Sequence, residues 1–213
     1  MKSLLSLLRD GAEELQAWFL ARSLRREHRE SYETVEPEPL PMPLQLGGTI
    51  SELRKRISES LGSDEAIDER DPTCKSDRAS KRRFYMMEGR GPKCVNIIYR
   101  YWKDDGCVWS ISVANASPYY TADLGALSLS VTVDSIRDML GEPSKRHQYA
   151  PVIEMLLWET PDYGYRVDSY SSTYNDIAGY ARRGDINAIE WYSRALAPAG
   201  YDGGISKYDE QSA

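Results

Sequence analysis

Two runs of residues with period-two alternation, separated by an Asp-Gly pair, constrain the fold of this chain more than any other feature. In each run every second residue is apolar, which is typical of a strand that buries one face. The apolar positions are Val95, Ile97, Tyr99 and Tyr101 in the first run and Trp109, Ile111 and Val113 in the second. Asp105-Gly106 favours a tight hairpin turn, because both positions tolerate a positive φ. The pattern therefore predicts an antiparallel hairpin, and Phe84 to Glu88 predict a third strand.

A helix is predicted upstream of this hairpin. Thr49 and Glu52 have the spacing of a capping box, in which each side chain satisfies the backbone amide of the other residue. Gly62 provides a left-handed stop after the last turn. The apolar face of this helix consists of Ile50, Leu53, Ile57 and Leu61. Residues 63–83 are polar and predict a loop or a partly disordered insert.

The same order of elements occurs a second time. Thr132 caps a predicted helix that ends at Gly141 and Pro143. Its buried face is predicted to be Val133, Ile136, Met139 and Leu140. Two alternating strands follow, with apolar positions at Ile153, Met155 and Leu157 and then at Tyr163, Tyr165 and Val167. We therefore expect an α+β fold with helices packed on an antiparallel sheet. A tandem helix–hairpin repeat is one arrangement that this order of elements allows.

Residues 128–170 resemble the repeat of the beta-lactamase-inhibitor-protein-like fold, which the small outer-membrane assembly lipoproteins share. The resemblance rests on the Thr132 cap, on Leu140-Gly141-Glu142-Pro143 and on Trp158, and a fainter likeness covers residues 49–114. We expect neither an export signal nor a lipid-anchored cysteine here, which departs from that family. The resemblance implies a sheet surface that binds protein rather than an active site.

Before residue 49 the sequence predicts a helix and a linker. In residues 1–30 the apolar positions have helical spacing and four arginines crowd the far end, which predicts an amphipathic helix. The apolar positions are Leu4, Leu8, Leu15, Trp18 and Phe19, and the arginines are Arg22, Arg25, Arg26 and Arg29. Residues 31–48 contain the string EPEPLPMPL and predict an acidic, Pro-rich, extended linker.

After residue 170 the sequence predicts more helix. Residues 171–200 are interpreted as a helical hairpin broken at Gly184. Residues 184–196 resemble one helix of a Sel1-like or tetratricopeptide repeat, although a single copy does not make a solenoid. Residues 201–213 are Gly-rich and polar at their start and predict a flexible tail.

Composition narrows the class of protein. A formal net charge of −6 argues against nucleic acid as a partner, because phosphate binding requires a surplus of Lys and Arg. A protein with a basic surface patch is the expected partner. The three cysteines form no disulfide framework, and no apolar stretch is long enough to span a bilayer. We therefore expect a soluble, cytoplasmic protein, with peripheral membrane contact through residues 1–30 as an open option.

No recognisable catalytic motif is present in the sequence. His28 and His147 lack the companion residues of a nucleophilic triad, and Cys94 and Cys107 are better explained as small buried residues than as a thiol pair or part of a metal site. The carboxylate pairs Glu154 with Glu159 and Asp162 with Asp168 need not meet, and the basic run from residue 75 to 93 is best explained as a solvated loop. We predict no cofactor and no metal.

The most suggestive feature is a mixture of aromatic and acidic residues late in the chain. Such residues are enriched in protein interfaces, where aromatic rings bury area at a low entropic cost. The predicted partner-binding residues are Trp158, Glu159, Asp162, Tyr163, Tyr165, Asp168, Tyr170 and Tyr174. We expect a non-catalytic inhibitor or immunity-type protein. The alternatives are a small enzyme whose carboxylates and tyrosines meet only in the fold, and a scaffold docked through its first helix.

Overall fold

The computed structural model describes most of the chain. The described residues are 4–40, 45–61, 67–70, 82–88, 95–102, 104–115, 118–176 and 179–206. They contain three helices: α1 (Leu4–Thr34), α2 (Ile50–Leu61) and α3 (Val133–Leu140).

Local capping explains where α2 and α3 begin and end. The Thr49 amide donates to the Glu52 carboxylate at 2.9 Å and the Glu52 amide donates to the Thr49 hydroxyl at 3.3 Å, so the predicted capping box is confirmed. The Thr132 hydroxyl accepts from the Ser135 amide at 3.3 Å in the same way. Gly141 ends α3 with a φ of 81°, a conformation that residues with a Cβ rarely adopt.

The described residues also contain fourteen strands. They are β1 (Glu38–Pro39), β2 (Ile67–Arg70), β3 (Arg82–Glu88), β4 (Val95–Tyr101), β5 (Val108–Ala114), β6 (Tyr120–Thr121), β7 (Asp123–Leu124), β8 (Leu127–Ser128), β9 (Lys145–Ala150), β10 (Ile153–Glu159), β11 (Tyr163–Tyr170), β12 (Tyr174–Asn175), β13 (Tyr180–Ala181) and β14 (Ile186–Ser193). Eight of them form one sheet in the order β2-β3-β4-β5-β14-β11-β10-β9, and the others pair as β1 with β6, β7 with β8 and β12 with β13.

Every neighbouring pair in the main sheet is antiparallel, so the predicted α+β class is confirmed. The predicted hairpin of β4 and β5 and the third strand β3 are present, as are β10 and β11. Helix α2 precedes β2 to β5, and α3 precedes β9 to β11. The two sets lie in opposite order across the sheet, with β14 inserted between β5 and β11.

The C-terminal helical hairpin predicted for residues 171–200 is wrong. This stretch forms β12, β13 and β14, so the repeat-like helix expected at 184–196 is a strand. Strand β14 lies in the middle of the sheet and is buried on both faces, which places apolar residues at irregular intervals. A register shift beside Ile186 makes the interval between the inner-face residues Ile186 and Ile189 three residues long, which is also a helical spacing. The propensity of Ile, Trp and Tyr for strands favours a strand over a helix here.

The main hydrophobic core lies on one face of the sheet, called here the inner face. Leu53 of α2 and Val133 and Ile136 of α3 pack there against residues of the central strands. Met139 is 52% exposed, so its predicted place on the buried face of α3 is wrong. A second apolar cluster lies on the opposite, outer face and consists of Trp109, Met155, Leu157, Tyr192 and Ile205. Residues 194–206 pass over this outer face.

Three predicted connecting segments are more ordered than expected. In the predicted linker 31–48, α1 continues to Thr34, Glu38 and Pro39 pair with β6, and Leu40 is buried. In the predicted insert 63–83, residues 67–70 form β2 and residue 82 begins β3, while 62–66 and 71–81 lie outside the described residues. In the predicted flexible tail, Ile205 is fully buried, so the prediction of flexibility is wrong for residues 201–206. Residues 207–213 lie outside the described residues.

Helix α1 contacts the rest of the fold near its C-terminal end. Tyr32 is buried, donates its hydroxyl hydrogen to Asp185 and packs edge-to-face on Tyr180, with ring centroids 5.3 Å apart. Farther up the helix, the side chains of Leu15, Trp18, Phe19 and Leu20 are 60%, 54%, 61% and 61% exposed. Over its 31 residues α1 does not separate apolar from charged residues onto two faces, so the expectation of an amphipathic helix with arginines in its last turn is wrong.

Candidate functional site

The structure divides the eight predicted interface residues among three places. Trp158 and Tyr165 are only 2% and 0% exposed and belong to the inner core. The Trp158 indole donates to the Gly141 carbonyl at 2.8 Å, and the Tyr165 hydroxyl accepts from the Ala126 amide at 3.0 Å. These two side chains hold α3 and the β7–β8 turn on the sheet and are not available to a partner.

Glu159, Asp162 and Tyr163 lie at the turn between β10 and β11. Tyr163 is half-buried, and its ring centroid lies 5.7 Å from that of Trp191. The Glu159 carboxylate lies 3.8 Å from the Arg194 guanidinium, and the Asp162 carbonyl accepts from the Arg194 amide at 2.9 Å. This turn is closed by contacts within the chain.

Asp168, Tyr170 and Tyr174 lie toward the opposite end of β11. Tyr163 and Tyr170 are separated by the length of that strand, about 24 Å. The predicted residues therefore do not form one surface, and only this last group contains two half-buried aromatic rings beside a carboxylate.

The candidate functional site is the tyrosine patch, defined by Tyr170, Tyr174, Asp176 and Asn187. The rings of Tyr170 and Tyr174 stack with centroids 5.9 Å apart and planes 27° apart. The Tyr170 hydroxyl donates to the Asn187 side-chain oxygen at 3.2 Å, and the Tyr174 hydroxyl donates to the Asp176 carboxylate. Both rings are therefore held in one orientation while part of each stays in contact with solvent.

Local turn chemistry places this patch. Strand β11 ends at Tyr170, and β12 starts four residues later at Tyr174. Asp176 closes the turn between β12 and β13, since its carboxylate accepts from the Gly179 amide at 3.2 Å and its own amide donates to the Gly179 carbonyl at 3.0 Å. The patch thus lies on the hairpin whose second strand contains Tyr180, against which α1 packs.

Both tyrosines of the patch stay protonated at neutral pH. The hydrogen bond to Asp176 raises the pKa of Tyr174 to about 12. Burial raises the pKa of Tyr170, and the carboxylates of Asp185 and Asp176 raise it further. Each phenol is therefore a neutral hydrogen-bond donor beside a negative charge.

A second polar group lies buried on the outer face of the sheet. It is the ion cluster, defined by Arg100, Arg166, Asp168 and Glu190. Glu190 has no exposed surface; it is ion-paired with the Arg100 guanidinium and lies 3.4 Å from the Arg166 guanidinium. Arg166 also contacts the Asp168 carboxylate at 3.1 Å.

The ion cluster attaches residues 201–206 to the sheet. The Tyr201 hydroxyl donates to Glu190 at 2.5 Å, and Arg166 donates to the Gly203 carbonyl at 2.8 Å. The Ser110 hydroxyl donates to Glu190 at 2.7 Å. Because Tyr201 covers the Glu190 carboxylate, this arrangement holds the chain in place and offers no open site for a substrate.

The carboxylates of the cluster titrate in opposite directions. Burial raises the pKa of Glu190, but Arg100, Arg166 and the hydrogen bonds from Tyr201 and Ser110 together lower it by more, so its pKa lies below the ordinary value. Burial raises the pKa of Asp168 and outweighs the opposing effect of Arg166. Glu190 is therefore ionised throughout the neutral range.

The sequence interpretation missed Arg100, Arg166 and Glu190. Each is a charged residue inside an apolar strand: Ile98 lies two residues before Arg100, Tyr165 precedes Arg166 and Ile189 precedes Glu190. A charge that interrupts an apolar strand in this way is a usable signal of a buried ion pair. Glu190 escaped because its strand was interpreted as a helix. The pairing of β5 with β14, which brings Glu190 to Arg100, joins strands far apart in sequence.

Other candidate groups stay apart in the fold. Asp162 immediately precedes β11 and is about 20 Å from Asp168 along the direction of that strand. Glu154 and Glu159 are an odd number of residues apart on β10, so they point to opposite faces of the sheet. His147 belongs to β9 rather than to a loop. Among the residues that the structure describes, no group of three His, Cys, Asp or Glu side chains is placed to hold a metal ion.

Cys107 is a free, half-buried thiol, and burial raises its pKa. Cys74, Cys94 and most of the basic run from 75 to 93 lie outside the described residues.

The fold defines the chain as a member of the α+β class, with an eight-stranded antiparallel sheet. No protein-family model, curated protein or solved structure matches the chain. None of the described helices is long and apolar enough to cross a membrane.

Proposed function

We propose that this protein is a non-catalytic protein-binding module of the inhibitor or immunity type, acting in the cytoplasm on a partner with a basic surface patch. The observation that carries the proposal is the tyrosine patch, in which two stacked rings are fixed by side-chain hydrogen bonds and remain partly exposed. Rings held in this way lose little conformational freedom when a partner covers them. The resemblance of residues 128–170 to a protein-binding fold points to the same function.

The charge of the patch favours a basic partner. Asp176 lies at its edge, and the Tyr174 hydroxyl is oriented by that carboxylate. An arginine or lysine of the partner placed over the Tyr174 ring would meet both the π face and the carboxylate, which together favour a cation. An enzyme is less well supported, because the carboxylates proposed for it do not meet.

The proposal is tested by substituting Tyr174→Ala together with Asp176→Asn. Tyr149→Ala is the matched control, because Tyr149 is an exposed tyrosine on the edge strand β9. The three proteins serve as bait in native lysate, and any retained basic protein is then purified and titrated against each of them. We expect the substituted patch to weaken binding about 10- to 30-fold, as for an interface residue of central importance, and the control to bind normally.

Retention of the same proteins by all three baits would contradict the proposal. Melting temperatures within a few degrees of the unchanged protein show that a loss of binding is not a loss of fold.

A further inference from the structure

We propose that α1 binds the surface of an anionic lipid bilayer, with Trp18 and Phe19 in the membrane interface and Arg22 and Arg25 on the headgroups. The proposal goes beyond protein binding by the tyrosine patch and does not depend on it. Its first basis is the exposed apolar segment of α1, in which four large side chains have more than half of their surface in solvent: Leu15, Trp18, Phe19 and Leu20.

Position along the helix makes this segment accessible. Phe19 precedes Tyr32, which anchors α1 to the sheet domain, by 13 residues. At 1.5 Å per residue the exposed segment therefore lies about 20 Å from the anchor along the helix axis. A flat surface can approach the segment while the tyrosine patch remains beside the anchor.

The second basis is the placement of arginines on the same side of the helix. Residues seven apart lie on one helical face, two turns apart. Arg22 follows Leu15 by seven residues, Arg25 follows Trp18 and Arg26 follows Phe19 in the same way. Arg26 is ion-paired with Glu30 at 2.7 Å, whereas Arg22 and Arg25 continue the apolar face of Leu15 and Trp18 along the helix.

This order of residues matches the chemistry of a bilayer surface. The Arg22 guanidinium lies over the Trp18 ring, 5.4 Å from its centroid. Tryptophan prefers the level of the headgroups, and arginine at that level binds lipid phosphate while its apolar stem lies in the interface. Cations about 10 Å along the helix from the apolar segment contact phosphates while the rings enter the acyl boundary.

The breadth of the apolar surface favours lipid over a rigid partner. Trp18 and Leu20 lie about 200° apart around the helix axis, at 100° per residue. One flat protein surface, including a second copy of this helix, contacts a stripe about 100° wide. Lipid chains adapt their shape and cover both sides.

The test is flotation of the full chain with vesicles of phosphatidylcholine alone and of phosphatidylcholine mixed with phosphatidylserine. One variant carries Trp18→Ala and Phe19→Ala, and its control is Met139→Ala, which shortens an equally exposed apolar side chain on α3. A second variant carries Arg22→Gln and Arg25→Gln, with the exposed Arg183→Gln as its control. Size-exclusion chromatography of each protein is run in parallel.

We expect binding to the mixed vesicles that falls at least tenfold without the two aromatic rings, and roughly 25-fold without the two arginines, or about fivefold for each. Raised salt should weaken the binding, and both controls should bind as the unchanged chain does. Absence of binding, equal binding to both vesicle types, or binding that survives loss of Trp18 and Phe19 overturns the proposal. A dimer that these same substitutions dissociate, without vesicle binding, assigns the surface to a second copy instead.

Discussion

The central strands of the sheet are buried on both faces, but by different chemistry. On the inner face, α2 and α3 contribute side chains such as Leu53 and Ile136 to a continuous apolar core. On the outer face, residues 201–206 are held by directional contacts to Glu190 and Arg166, beside a smaller apolar cluster. Apolar burial is non-directional, whereas hydrogen bonds form only within a narrow range of distance and angle. The contacts on the outer face therefore restrict the path of residues 201–206 more than burial of apolar area alone would.

The largest expected effect is that of Glu190→Ala on the outer face. The change leaves the buried Arg100 and Arg166 guanidinium groups without their shared carboxylate, and such a loss costs about 3–5 kcal/mol in the free energy of unfolding. Urea unfolding measures it. As a control, Arg100→Met combined with Glu190→Leu removes both charges of one pair and should cost clearly less than Glu190→Ala alone. If the double variant is less stable than Glu190→Ala, the ion pair between Arg100 and Glu190 contributes a net stabilisation beyond neutralising buried charge.

A somewhat smaller loss is expected for Ile136→Ala on the inner face. Ile136 is fully buried between α3 and the sheet, and removing its methyl groups should lower the free energy of unfolding by about 2–4 kcal/mol. Met139→Ala on the exposed side of the same helix should change it by less than about 0.5 kcal/mol. The loss at Ile136 should be the same at low and high salt, and a strong salt dependence would contradict the contrast drawn between the two faces.

The smallest expected effect is the pH dependence of the Glu190 contribution. Because the folded-state pKa of Glu190 is lowered, its contribution is present above the unfolded pKa, about 4.3, and is lost as the pH falls through the folded value. Asp168, whose pKa is raised, has the opposite sign: its contribution is present at low pH and is lost as the pH rises.

The difference in unfolding free energy between the unchanged protein and Glu190→Gln should therefore be largest at neutral pH and narrow below about pH 4. Urea titrations at a series of pH values measure it. A difference that stays constant across this range would show that the ionised form of Glu190 does not stabilise the cluster.

Local signals in the sequence predicted much of the fold. The Thr49 and Thr132 caps gave α2 and α3, and period-two alternation gave β4, β5, β10 and β11. The prediction failed at β14, because a strand buried on both faces has no simple alternation. Its partners β5 and β11 are distant in sequence, so no local pattern indicates the pairing.

The candidate site was only partly predictable for a related reason. The sequence marked both Tyr165 and Tyr170 as partner-binding residues, yet the first lies in the core and the second in the tyrosine patch. When both faces of a sheet are covered, residue type does not separate buried from exposed positions. Tyr165 and Tyr170 are five residues apart and so point to opposite faces of the sheet, and Tyr170 is the last residue of β11.

The late position of β14 in the chain sets the order in which the molecule can assemble. Until residues 186–193 are available, β5 and β11 each present an unpaired edge, and the two halves of the sheet have no strand in common. During synthesis the two incomplete sheets therefore have unpaired edges, which are prone to pair with other chains until β14 emerges. A chain interrupted before Ile186 would expose two adhesive strand edges and would be expected to aggregate rather than to fold as a shorter version of the same domain.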